Sequence, residues 1–223
     1  MNSFVNAILL ALTFPLIMLT IIVGFDLPVE ILKTSGKNLS FADEVFWLLA
    51  TLMGLIAFRR SLKRWMGMKI VNTTERFIIN FEVSTARKNR VVVYNLIESC
   101  IMLSLGLSIY NLTTHALVPT IVLLSFSFDN LLFLAIGYKN RFRIGLSSKA
   151  LIVSDREVTV IYFEGLRKIS IEQQTISFDY IKDLQLSFPT NCLRDEDKEL
   201  IFNGLNDIVD KDKVMFSKMG EWS

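Results

Sequence analysis

The sequence predicts an α-helical membrane protein with four transmembrane helices in residues 1–140, followed by a small β-rich domain with a closing helix in residues 141–223. Three observations predict it. A mean hydropathy of +0.43 with 52% hydrophobic residues is too apolar for an ordinary soluble domain of 25.5 kDa. Long uncharged runs fill the first 140 residues, and short alternating segments follow them. Basic residues are concentrated in one interhelical segment, whereas the net charge is only +2, which gives no general argument for nucleic acid or an acidic substrate.

The first span, residues 4–23, carries no charge, and its 20 residues cover about 30 Å as a helix, one hydrocarbon core. Nothing basic precedes Phe4 and bulky residues fill 16–25, so it reads as an uncleaved helix and not as a signal peptide, mildly kinked at Pro15. The second, about 43–62, has an uncharged centre of only 14 residues, 45–58. Trp47 and Trp65 stand about 27 Å apart along a helix, and Arg59, Arg60, Lys63 and Arg64 have stems long enough to snorkel, which extends the span towards Trp65. Residues 91–111 and 116–137 form a third and a fourth span, joined by a stub that permits only an antiparallel hairpin.

Residues 59–90 carry nine basic side chains against Glu75 and Glu82, whereas the segment between spans one and two carries Lys33 and Lys37 against Asp26, Glu30, Asp43 and Glu44. The positive-inside rule places the basic segment in the cytoplasm, and an even number of spans places both termini there. The expected location is thus the plasma (inner) membrane, multi-pass. Residues 73–90 read as a cytoplasmic extension of the third helix, with Phe77, Ile78, Phe81 and Val83 partly on one face that needs a partner.

From residue 141 the pattern predicts strands at 141–145, 150–153, 157–163, 167–171, 175–179 and 199–202. Ser154, Asp155 and Arg156 make one turn; Glu164 and Gly165 make another, predicting a hairpin over 157–171. Leu205, Ile208, Val209, Met215, Phe216, Met219 and Trp222 recur at spacings that suit a closing amphipathic helix.

Lys149-Ala-Leu-Ile-Val-Ser154, Glu157-Val-Thr-Val-Ile-Tyr-Phe163 and Thr175-Ile-Ser-Phe-Asp-Tyr-Ile-Lys-Asp-Leu-Gln-Leu186 resemble segments of bacterial multi-pass membrane proteins that carry a cytosolic pleckstrin-homology-like domain. The resemblance covers at most residues 141–223. Ser177 stands where that family commonly has proline, and 189–198 is a long acidic insertion. The resemblance implies a β-barrel closed by a terminal helix, with scaffolding or ligand sensing as its role, and it carries over no catalytic residue.

Glu98 and Asp129 are the informative acids. Folding the third and fourth spans about residue 113 brings both to one depth, on the order of 10–12 Å from the cytoplasmic helix ends. An ionised carboxylate there is costly unless paired, hydrated or protonated. Asn95, Ser99, Ser127 and Asn130 lie beside them and complete a polar cluster. One reading is a proton or cation site; the other is interhelical glue, with the acids bonded to these neighbours or paired with Arg59 or Arg60. Arg59, Arg60, Lys63, Arg64 and Trp65 form a juxtamembrane cluster suited to lipid headgroups or simply to fixing topology.

His115 is the only histidine, at the far end from the acids, and reads as a solvated loop residue. Cys100 and Cys192 form neither a disulfide framework nor a zinc cluster, 195–199 reads as a solvated acidic loop without calcium-ligand spacing, and no phosphate loop or hydrolase motif occurs. No metal, cofactor or nucleic acid is expected, and an enzyme is not. Membrane lipids and self-association or a protein partner are the expected partners. Three functions remain open: a non-enzymatic membrane protein whose β-domain binds a protein, lipid or small molecule; an oligomeric effector, channel or transporter using Glu98 and Asp129, gated by the cytosolic domain; and a toxin-immunity-type membrane protein.

Overall fold

The computed structural model describes residues 3–30, 33–172, 174–181, 184–209 and 214–218. The chain divides into two compact units, Met1–Ser61 with Leu96–Leu132, and Leu62–Asn95 with Phe133–Ser223. Helix α1 (Ser3–Gly24) lies in the first. Helices α2 (Ala42–Val71), α3 (Thr85–Leu112) and α4 (Leu117–Tyr138) begin in one unit and end in the other.

Three helices, Ala42–Val71, Thr85–Leu112 and Thr114–Tyr138, are long and apolar enough to cross a membrane. Within α1, Thr13–Gly24 counts as a shorter apolar helix. The 30 residues of α2 extend about 45 Å, more than one hydrocarbon core, so its basic end reaches past an apolar layer. In the first unit, a pair of two-residue antiparallel strands, β1 (Pro28–Val29) with β2 (Thr34–Ser35), lies between α1 and α2. Val23, Leu39, Ala42, Phe46 and Ala116 pack beneath it and bring the starts of α2 and α4 together.

The second unit holds two four-stranded sheets. Strands β3 (Ile79–Glu82), β4 (Arg143–Leu146), β5 (Ala150–Ser154) and β6 (Val158–Tyr162) pair antiparallel in chain order. Strands β7 (Leu166–Ile171), β8 (Thr175–Tyr180) and β9 (Gln185–Pro189) form an antiparallel meander, and β10 (Met215–Lys218) adds parallel to β7. Neither sheet closes into a barrel. Alternate residues supply the core: Ile144, Leu146, Leu151, Val153 and Ile161 from the first sheet; Ile169, Ile171, Ile176, Phe178 and Phe188 from the second. Helix α5 (Asp195–Ile208) adds Ile201 and Leu205.

Several expectations are corrected. Residues 73–90 are not one helix: 79–82 is an edge strand on β4, and α3 starts only at Thr85. Strand pairing wins because Phe77, Ile79, Phe81 and Val83 alternate with exposed or polar residues, a period of two. The 157–171 segment is not a hairpin, since β6 pairs with β5 and β7 with β8. Its turn carries the chain from one sheet to the other, using Gly165 at φ +77, and the Tyr180 hydroxyl bridges back by donating to the Tyr162 carbonyl.

The closing helix lies earlier than its spacing suggested. Residues 195–208 are helical, including the expected strand 199–202 and the expected acidic loop 195–199. Asp195, Glu196 and Asp197 occupy the first turn, where carboxylates favour the positive end of the helix dipole. Met215 and Phe216 stand on a strand, and Met219 and Trp222 lie outside the described residues.

The buried end of α2 meets the first sheet at Gly67, where a Cβ would come within 2.0 Å of Val158 Cγ2. Gly67→Ala should therefore destabilise the second unit by about 1–3 kcal/mol through overpacking. Thermal unfolding in detergent checks this against Gly54→Ala, whose added Cβ meets nothing within 4 Å.

Candidate functional site

Each long helix places inward-facing polar residues about one turn apart: half-buried Arg60 and buried Arg64 on α2, buried Asn95 and Ser99 on α3, buried Ser127 and Asn130 on α4. Measured from the helix ends that meet near residue 113, Glu98 and Asp129 stand about 21 and 18 Å in. In an apolar layer these residues need internal partners.

In the first unit, Arg60 grips Glu98 with both terminal nitrogens, Nη1 on Oε1 and Nη2 on Oε2, the latter at 3.0 Å. The Glu98 side chain is only 13% exposed, so this two-pronged geometry offsets a desolvation cost that a single hydrogen bond would not. Beside it, Ser127 Oγ donates to the Ser99 carbonyl at 2.9 Å and Ser99 Oγ to the Ser127 carbonyl at 3.4 Å. Further along, Thr120 Oγ1 donates to the Gly106 carbonyl at 3.1 Å. Small residues and exchanged hydroxyl bonds bring the α3 and α4 backbones close, as helices in lipid require. Asn130 is buried in the same unit.

Asp129 lies elsewhere around α2. It lines a groove of about 320 Å³ between α2 and α4 with Gly54, Phe58, Ser61, Ser125 and apolar neighbours. Thus Glu98 meets α2 at Arg60, and Asp129 shares a groove with the next residue, Ser61. A larger apolar cavity of about 510 Å³ lies among α1, α2 and α3.

In the second unit, Arg64 is 2% exposed, with its guanidinium 4.6 Å above the Phe133 ring. Trp65 meets the same ring edge-on at 5.4 Å. Of the juxtamembrane cluster expected to meet headgroups or to fix topology, Arg64 is buried, Arg60 and Trp65 are half-buried, and Arg59 and Lys63 are exposed. Asn95 is fully buried, and neither amide atom has a hydrogen-bond partner among the described residues.

Sequence reasoning missed the groups that fasten α3 to the β strands. Arg87 Nε donates to Asp155 Oδ2 at 2.7 Å, Lys88 Nζ to Glu82 at 2.9 Å and to Asn140 at 3.2 Å, and Arg156 lies over Tyr94. Only their opposite charges hinted at it. His115, expected to be solvated and alone, pairs through Nδ1 with Asp43 Oδ1 at 2.6 Å. With side chains 30% and 70% exposed, that pair contributes at most about 1 kcal/mol.

Among the described residues no group of His, Cys, Asp and Glu could hold a metal ion. Cys192 is buried beside Ser84, whose backbone N–H donates to the Cys192 carbonyl, and burial pushes its thiol up to about 12. Such a thiol is a packing group and not a nucleophile. No family model, no curated protein and no solved structure matches the chain.

Two outcomes follow. Arg60→Gln should lower stability by about 3 kcal/mol, since it leaves the Glu98 carboxylate only 13% exposed, Glu98→Gln should cost less because Arg60 is 31% exposed, and the double variant should cost less than the sum. Chemical denaturation of all three in detergent measures the coupling. The Cys192 thiol keeps its proton in the fold well above its ordinary 9.0, so the unfolded state releases that proton first. Stability should be full below pH 9 and fall between 9 and about 12, by roughly 1.4 kcal/mol per pH unit for this group. Alkaline unfolding of wild type and Cys192→Ala checks the slope.

Proposed function

We propose that the protein is a non-enzymatic, multi-pass protein of the bacterial inner membrane, with α1 as a fourth span and both termini in the cytoplasm. Its second unit serves as a pleckstrin-homology-like recognition domain for a protein, lipid or small molecule. The observation that carries this reading is the use made of the intramembrane charges: Glu98 is taken by Arg60 in a two-pronged pair and is not held ready for a mobile ion. Helix surfaces locked by Arg60–Glu98 and by the Ser99–Ser127 exchange suit a scaffold.

The architecture of the second unit supports the recognition role. An antiparallel sheet, a mixed sheet and a helix packed in one core fit the β-rich domain that the resemblance implies, though without its closed barrel. Two cavities open on it. One, of about 620 Å³, lies among Phe163, Leu166, Ile181, Ile208 and Val214; the other, of about 770 Å³, is polar and lies around Ser84, Gln174, Thr190 and Arg194. Cavities of this size suit a small ligand or a peptide side chain.

The Asp129 groove favours a second reading, an effector or transporter in which that carboxylate faces an ion path. Proton and potassium flux through purified protein in liposomes separates the two. The scaffold reading expects flux no greater than in empty vesicles, for wild type and Asp129→Asn alike. Flux in wild type that disappears in an equally folded Asp129→Asn variant would overturn it.

A further inference from the structure

The polar cavity of about 770 Å³ on the second unit has walls tied to one another through the backbone. Ser84, the residue before α3, donates its N–H to the Cys192 carbonyl at 2.9 Å and its hydroxyl to the Asn191 carbonyl at 2.6 Å. Thr190 donates its N–H to the Gln174 carbonyl at 2.9 Å. The start of α3, the β7–β8 turn and the stretch from the end of β9 into α5 are thereby held together, and all of them belong to one unit. The result is a preformed cavity of the size that takes a small molecule.

The charged side chains that line it are Arg90, Arg194 and Lys198 against Asp195 and Glu196. Internal pairing sorts them. Lys198 Nζ is 2.7 Å from Asp195 Oδ1, and Arg194 Nη2 is 3.2 Å from Glu82 Oε2. Arg90 on α3 and Glu196 on α5 are exposed and make no ion pair or side-chain hydrogen bond among the described residues. After this pairing the lining keeps one uncommitted charge of each sign, each carried by a different wall. A lone anion entering the cavity meets Asp195 and Glu196 in the first turn of α5, and a lone cation meets Arg90, Arg194 and Lys198. A ligand carrying one carboxylate and one ammonium satisfies both walls, and Gln174, Thr175 and Asn191 offer hydrogen-bonding groups to the rest of it.

We infer that this cavity binds a small zwitterion, a free amino acid or a short peptide, whose carboxylate meets Arg90 and whose ammonium meets Glu196. The inference rests on the recognition role proposed for the second unit and names the ligand class of one of its cavities. Both sources share the same two charged ends, and the volume leaves room for a dipeptide as well as for a single residue. Specificity comes from the pairing already made inside the wall: Asp195 and Arg194 are held by Lys198 and Glu82, so neither competes for the ligand's ends.

The test uses the full chain in detergent and titration calorimetry with the free L-amino acids and their dipeptides with alanine, the tightest of which is then compared with its N-acetylated and its C-amidated form. Each capped form should bind wild type about tenfold more weakly than the zwitterion. Arg90→Gln should weaken the zwitterion by a similar factor and leave the C-amidated form, which has no carboxylate, unchanged. Glu196→Gln should weaken the zwitterion and leave the N-acetylated form unchanged. A purely structural role for either residue would lower the affinity of all forms together, and that result would overturn the assignment. If a variant does not fold, the comparison of capped and uncapped probes on wild type decides the matter alone. Equal binding of capped and uncapped probes would overturn the dipolar site while leaving a recognition domain in place. No binding of any probe would overturn the site together with the small-molecule form of that reading.

Discussion

Four residue pairs, from Ile79 with Leu146 to Glu82 with Arg143, hold together the two ends of an excursion of about 60 residues that contains both α3 and α4. The ladder continues at either end through Ile78 N–H to Leu146 and Val83 N–H to Phe142. Because β3 and β4 are neighbours, α3 departs from the sheet within two residues of β3, and α4 returns to it within a short turn at Asn140, which takes a left-handed φ of 61°. In chain order, the segment that contains α3 and α4 is therefore an insertion between two neighbouring strands. Asn80 adds the end of α2 to this arrangement: its amide donates to the Val71 carbonyl at 2.7 Å while its oxygen accepts from Arg143 at 2.6 Å.

Charge then acts at two radii. Cations that turn inward are consumed by the fold, as Arg60 is by Glu98, Arg87 by Asp155 and Lys88 by Glu82. Those left outside share one sign because the helix-end stretches 62–71, 85–95 and 133–141 contain no acid. A single juxtamembrane run of basic residues thus both braces helices and presents a surface, and helical periodicity decides which residue does which: Arg60 and Arg64 are four apart on the inner face, whereas Arg59 and Lys63 are four apart on the outer one.

Much of this architecture was legible in sequence. Uncharged length marked α2, α3 and α4, and alternation marked β4, β5, β7 and β8. Strand β3 was missed although Phe77, Ile79, Phe81 and Val83 alternate, because a strand whose partner lies some 60 residues away gives no local hairpin signal. Helix α5 was read late because its inward residues Ile201 and Leu205 are few, while its acidic first turn resembles a loop in composition. For the polar cluster, residue types and approximate depth could be counted along the helices. Rotation about the helix axis could not, and it is rotation that gives Glu98 to Arg60, sends Asp129 to a groove and buries Arg64 under an aromatic ring.

The inserted hairpin also fixes an order of events at the ribosome. Strand β3 emerges before β4, its one sheet neighbour among the described residues, since β4 follows after both helices have been made. At roughly 5–20 residues per second, about 60 residues of synthesis leave that edge unpaired for about 3–12 s. During this interval the polar Asn80 and Glu82 on alternate positions guard it against pairing with another chain. The sheet closes only once α3 and α4 have been delivered, so completion of the β unit is itself a record that the hairpin was made and returned.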